Sequence, residues 1–138
     1  MAAKDLFHNA VKQALIRDRW VITADPLVIK IEEVKLEIDL AAERTIAAQK
    51  AGRKIAIEIK SFLNPSSITD FHAALGQFLN YRLALQMREP DRVLYLAVPI
   101  DTFESFFQEL FVREAVKVYQ VKLVVYHPIQ EVIVLWNE

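Results

Sequence analysis

The chain has 138 residues, 54% of them apolar and 25% charged, which suits one domain with one core and excludes a disordered polymer. Its formal net charge of −1 leaves no strongly basic nucleic-acid footprint, and the absence of cysteine excludes a disulfide framework and a thiolate zinc site. No apolar run approaches the roughly 18–20 residues that span a bilayer, and Met1 to Asp5 lacks a signal peptide's apolar segment, so a cytoplasmic protein with no membrane association is expected.

From about Lys4 to Arg19 the apolar residues Leu6, Phe7, Ala10, Val11, Ala14 and Leu15 recur at helical spacing. Trp20 to Thr23 is expected as a first strand, closed by the turn pair Asp25-Pro26. Leu27 to Ile31 and Lys35 to Leu40 are expected as short strands around Glu32-Glu33. Ala41 to Ala51 carries alanines, Glu43, Arg44, Gln49 and Lys50 before Gly52, which favours helix by propensity; a hairpin arm reaching back from Lys54 is the alternative. In Lys54 to Lys60 the isoleucines at 55, 57 and 59 alternate with Ala56, Glu58 and Lys60. That period of two puts the isoleucines on one face of a strand and Glu58 with Lys60 on the other.

After the loop Asn64 to Ser67, a long helix is expected from Ser67, with Asp70 as the capping-box partner, to about Met87. Arg92 to Val98 is nearly apolar throughout, as in a central strand covered on both faces. Asp101 to about Gln120 is expected to be helical in two pieces. Lys122 to Tyr126 and Glu131 to Trp136 form a terminal strand pair around His127 to Gln130. The predicted architecture is a single α/β domain over residues 1–138, a mixed sheet flanked by helices.

Several chemistries drop out. With Gly52 and Gly76 as the only glycines, there is no phosphate-cradling glycine loop. No G-x-S-x-G elbow occurs, and His8, His72 and His127 do not make an H-E-x-x-H zinc motif. What remains is Asp39, then Glu58-x-Lys60, then Gln77 and Tyr81 one helical turn apart. If Asp39 and Glu58 converge from neighbouring strands, they offer the hard oxygen ligands that Mg²⁺ prefers. Lys60 would point to the same side and stabilise a phosphoryl group, with Gln77 and Tyr81 presenting polar tips from the helix. Each part also has a plain structural reading. Glu-x-Lys on a strand fits a solvated face, and Tyr81 fits a core ring with its hydroxyl at the edge.

In this order, Asp39, Glu58-Ile59-Lys60 and Gln77-x-x-x-Tyr81 resemble the PD-(D/E)XK nuclease superfamily, including the Q-x-x-x-Y helix of its RecB-like branch. Asp39 follows Ile38 where the superfamily motif has proline. Over nearly the whole length, Lys4-Asp5-x-Phe7-His8-x-x-Val11-Lys12, Trp20-x-Ile22-Thr23-x-Asp25-Pro26, Gly52-Arg53-Lys54 through Ser61-Phe62, Ala74-Leu75-Gly76-Gln77-Phe78 and Leu94 through Pro99 are similar to XisH. That is the cyanobacterial family of excision controlling factors for the fdxN element.

The resemblance implies a restriction-endonuclease-like fold, with Asp39 and Glu58 as Mg²⁺ ligands and Lys60, Gln77 and Tyr81 as catalytic residues. The partners it implies are DNA, a recombinase and an XisI-like protein; the oligomeric state, a homodimer included, stays open. Asp5, His8 and Lys12 on the first helix either line the site or, for His8, simply pack. Two functions stand side by side: a Mg²⁺-dependent endodeoxyribonuclease-like hydrolase, and a catalytically inactive accessory module supporting a site-specific recombinase. For the second, Lys122 to Trp136 and Phe103, Phe106, Phe107 and Phe111 offer an interface, with core packing as the alternative role of those rings.

Overall fold

The structure, a computed structural model, describes residues 5–45 and 52–138. Along them run α1 (His8–Arg17), β1 (Val21–Ala24), β2 (Leu27–Ile31), β3 (Val34–Ile38), β4 (Leu40–Thr45) and β5 (Gly52–Ile59). Then follow α2 (Ser67–Arg88), β6 (Arg92–Pro99), α3 (Ile100–Glu104), a short 3₁₀ turn, α4 (Leu110–Val118), β7 (Leu123–His127) and β8 (Val132–Asn137). Six strands form one sheet in the order β1-β4-β5-β6-β7-β8, and β2 with β3 forms a separate hairpin. The β5–β6 and β6–β7 pairs are parallel and the others antiparallel, so the expected α/β architecture with a mixed sheet is what is found.

Alternation along β5 decides which helix covers which face. Ile55, Ile57 and Ile59 join Val11 and Leu15 of α1, with Trp20, Leu40, Ala42, Tyr95 and Tyr126, in one buried cluster. Ala56 faces the other way, joining Phe71, Ala74, Phe78 and Leu85 of α2, Leu94, Leu96 and Val98 of β6, and Ile29 of the hairpin. From Leu94 onward every residue of β6 is buried, as two covered faces require.

Three expectations are corrected. Residues 41–45 are strand, not helix: Ala41 and Ala42 are fully buried and pair with Ala56 and Ile55. Buried strand pairing between β1 and β5 overrides helix propensity there. The remainder of that expected helix, 46–51, lies outside the described residues. The N-cap of α2 is Ser66, one residue earlier than expected, and its hydroxyl accepts from the Thr69 N–H at 3.3 Å. Asp70 instead accepts from the Asn64 side chain at 2.6 Å, tying the preceding loop to the first turn.

The phenylalanines divide. Phe106 and Phe107 stack with Phe62 and Phe71 at centroid separations of 5.4–6.1 Å, whereas Phe111 is 69% exposed. No helix among the described residues is long and apolar enough to cross a membrane.

Candidate functional site

The register brings the carboxyl ends of β1, β5 and β6 and the start of β4 to one edge of the sheet. Asp39 is the bend between β3, which belongs to the hairpin, and β4, which belongs to the large sheet. Leu40 pairs with Ile57, and beyond that pair β4 no longer runs beside β5. The Ile59 N–H would lose its partner there; it donates to Asp39 Oδ2 at 2.7 Å. In return the Asp39 N–H points at Glu58 Oε1 at 3.4 Å. The two carboxylates are therefore locked together by the backbone of the point where the chain changes sheets.

Glu58 shares the α2 side of β5 with Ala56 and is only 5% exposed, which rules out the solvated-face reading. Burial, the Asp39 charge and a hydrogen bond with the Asp39 side chain push its carboxyl up to about 9, against a smaller downward pull from Lys60. Crowded against a like neighbour, the Asp39–Glu58 pair therefore favours retaining a proton in the metal-free chain. Lys60 Nζ lies 3.7 Å from Glu58 Oε2 and is 23% exposed, so one cation reaches both the pair and the surface. Its backbone is held on both sides: the Lys60 N–H donates to the Ala97 carbonyl at 3.1 Å, and its carbonyl accepts from the Tyr126 hydroxyl at 3.2 Å.

Tyr81 belongs to the same electrostatic neighbourhood. Burial first, then the charges of Glu58, Asp39 and Glu37, raise its hydroxyl to about 12, keeping it a proton donor. Gln77, one turn earlier, has its Oε1 buried with no hydrogen-bond partner. Asp39, Glu58, Lys60 and Tyr81 are therefore brought together, and Gln77 contributes an unused acceptor from the covering helix.

Sequence reasoning does not single out Glu37 as part of this centre, and it offers Asp5 only with His8 and Lys12 as a first-helix residue lining the site. Asp5 Oδ2 accepts from the Ser61 N–H at 3.0 Å, next to Lys60, and Glu37 adds negative charge near Tyr81. The signal for Glu37 was its spacing of two from Asp39; Asp5 has no local signal, because its contact spans 56 positions. His8 and Lys12 instead converge on Asp25. His8, only 6% exposed, places Nε2 at 2.7 Å from Oδ1, and Lys12 Nζ lies 2.8 Å from Oδ2. The Asp25-Pro26 peptide is cis.

Two adjacent carboxylates make a short donor set, and no group of three or more His, Cys, Asp or Glu suited to a metal occurs among the described residues. The set fits Mg²⁺ nonetheless, since that ion is commonly held by one or two carboxylates and keeps several waters. Crowded carboxylates of this kind are what a divalent cation relieves.

The family model described as XisH protein matches residues 1–134. The chain belongs to the XisH family. An XisH family protein from Nostoc punctiforme PCC 73102 is 50% identical over 97% of this chain and 100% of its own, with a TM-score of 0.87. An fdxN element excision controlling factor protein from Anabaena variabilis is 52% identical over 98% of this chain and all of its own, with a TM-score of 0.88. These crystal structures share the fold of this XisH chain across its length. None of the curated proteins is similar to the chain.

Proposed function

We propose that this chain is a controlling factor for excision of a DNA element, as its Anabaena variabilis relative is named, and that it carries a Mg²⁺-dependent, nuclease-like centre of the PD-(D/E)XK kind. The observation that carries this reading is the pairing of Asp39 with the buried Glu58, with the Lys60 ammonium 3.7 Å from the latter. Asp39 and Glu58 would hold the cation. Bound there, Mg²⁺ supplies Lewis acidity and neutralises charge on the phosphoryl oxygens.

Hydrolysis of a phosphodiester forms a bond from a water oxygen to phosphorus and breaks the bond to the leaving oxygen, which takes up a proton. Negative charge grows on the phosphoryl oxygens in between. Lys60, held by its backbone bonds to Ala97 and Tyr126, meets that charge without having to reorganise. Gln77 Oε1 accepts a hydrogen bond from the attacking water, filling its empty acceptor, and the Tyr81 hydroxyl donates to the phosphate edge.

Purified protein with Mg²⁺ or Mn²⁺ is expected to cut some form of DNA. Asp39→Ala and Lys60→Ala are each expected to lower the rate by at least about 100-fold. Cutting that is unaffected by both changes would come from a contaminant and remove the assignment.

A second reading, an accessory module without catalysis, draws on one observation: the net charge of −1 is a poor basis for gripping DNA unaided. On that reading the recombinase and an XisI-like protein supply the DNA contacts. Calorimetry with Mg²⁺ separates the two, because an accessory module shows no heat of binding that depends on Glu58.

A further inference from the structure

The outward face of α2 is built in a way that one chain alone does not require. Between Asp70 and Arg88 the helix has a single charged residue, Arg82, and its guanidinium is committed to the Tyr119 and Gln120 carbonyls, each at 2.9 Å. Phe71, Ala74, Phe78 and Leu85 make the core face. Away from it lie Thr69, Ala73, Gly76, Asn80, Leu83 and Met87, all exposed. Their spacing alternates between four and three residues, which is the seam of a helix that packs along another helix.

Leu83 is 56% and Met87 52% exposed. Gly76 lies mid-helix, and a Cβ there would meet nothing within 4 Å. Glycine costs a helix interior about 1 kcal/mol against alanine, and no neighbour in this chain makes it necessary. A close approach from outside would.

We infer that this face pairs with the same face of a second copy, antiparallel about a two-fold axis at Asn80. In that register Leu83 of one copy lies over Gly76 of the other, Met87 over Ala73, and Asn80 over Asn80. Both large apolar side chains meet a small residue, and the axis repeats each match, so the surface is self-complementary as a two-fold interface demands. A parallel pair would set leucine on leucine and glycine on glycine, leaving a clash and a gap.

Charge supports the same direction. The first turn of α2 carries Asp70 and the last turn Arg88, so antiparallel packing sets each acidic end beside the other copy's basic end and opposes the helix dipoles. The stripe itself has no cation to offer a phosphate, which argues against nucleic acid as its occupant. From Thr69 to Met87 it spans about 27 Å, and two such helices bury on the order of 1,000 Å², the small end of specific interfaces. The dimer therefore forms and separates with concentration. The Ala73 end of its face lines the same cavity as Lys60, so the paired face borders the Asp39–Glu58 centre, but the pairing stands whether or not those carboxylates bind metal.

The test is light scattering on the full chain from about 5 to 500 µM. The wild type is expected to rise from 15.9 kDa toward twice that mass. Gly76→Leu fills the receiving hole with a side chain that has open space in the monomer, so it is expected to stay at monomer mass throughout and to melt no lower than the wild type at the dilute end. Since the chain has no cysteine, Asn80→Cys is expected to be joined to itself by a short bis-maleimide, and Asn9→Cys on α1 is not. A wild type that remains monomeric, a dimer that survives Gly76→Leu, equal linkage of the two cysteine variants, or protection of the Asn80→Cys thiol by duplex DNA on a monomeric chain would each overturn the pairing.

Discussion

At the scale of single residues, Asp39 has two jobs that substitution can separate. It is an acceptor for the Ile59 N–H at 2.7 Å and a negative charge that raises Glu58. Asp39→Asn removes the charge and keeps an amide oxygen for the N–H, whereas Asp39→Ala removes both. The difference between the two variants therefore isolates the hydrogen bond. Asp39→Ala is expected to be less stable than Asp39→Asn by about 1–3 kcal/mol, the cost of an unsatisfied buried donor, read from urea midpoints. Equal midpoints would mean that water satisfies Ile59 instead. That Glu58 and Lys60 share a face was legible from alternation alone. That Asp39 meets them was legible only as an ordered set of residue types, because the meeting depends on the Leu40–Ile57 register and on a chain that leaves one sheet for another. Asp5 was legible as a first-helix residue lining the site, but its contact was not: nothing local to it announces Ser61.

At the scale of elements, legibility followed how well local preference agreed with packing. The strands β5 and β6 and the helix α2 carry strong local patterns, and each appears within a few residues of its expected limits. Residues 41–45 failed because alanine is both the best helix former and small enough for a strand buried inside the sheet between β1 and β5. Two alanines at full burial cannot tell those uses apart. The cap of α2 was displaced by one residue because Ser66 and Ser67 are equally good in sequence, and the choice rests on Asp70 being drawn to Asn64. That assigns separate costs. Ser66→Ala is expected to lose about 1 kcal/mol in thermal or urea unfolding, while Ser67→Ala changes stability by less than half as much. The reverse order would move the cap to Ser67.

At the scale of the whole molecule, the perturbed carboxyls act on stability in opposite directions, and their sum sets a pH profile. Glu58 is raised from 4.5 to about 9 in the fold. Its contribution is complete below the unfolded value and is lost as pH rises through the folded one, because above 4.5 the unfolded chain gives up a proton that the native chain keeps. Asp25 and Glu138 are lowered. For Asp25, burial pulls upward and the hydrogen bonds from Lys12 and His8 outweigh it; for Glu138, the hydrogen bond from the Tyr95 hydroxyl leads. Their contributions are present above the ordinary carboxylate range and vanish as pH falls through their folded values. Metal-free protein is therefore expected to be most stable in mild acid and to weaken steadily toward pH 9, with a slope of at most about 1.4 kcal/mol per pH unit from the one retained proton. Glu58→Gln keeps the shape and hydrogen bonding of the protonated acid without a proton to lose. It should flatten the alkaline side and leave the acid side unchanged, so that the two melting curves agree near pH 5 and diverge as pH rises. Parallel curves for wild type and Glu58→Gln from pH 5 to 9 would mean that Glu58 ionises freely, and the crowding of Asp39 and Glu58 would then lose its energetic meaning.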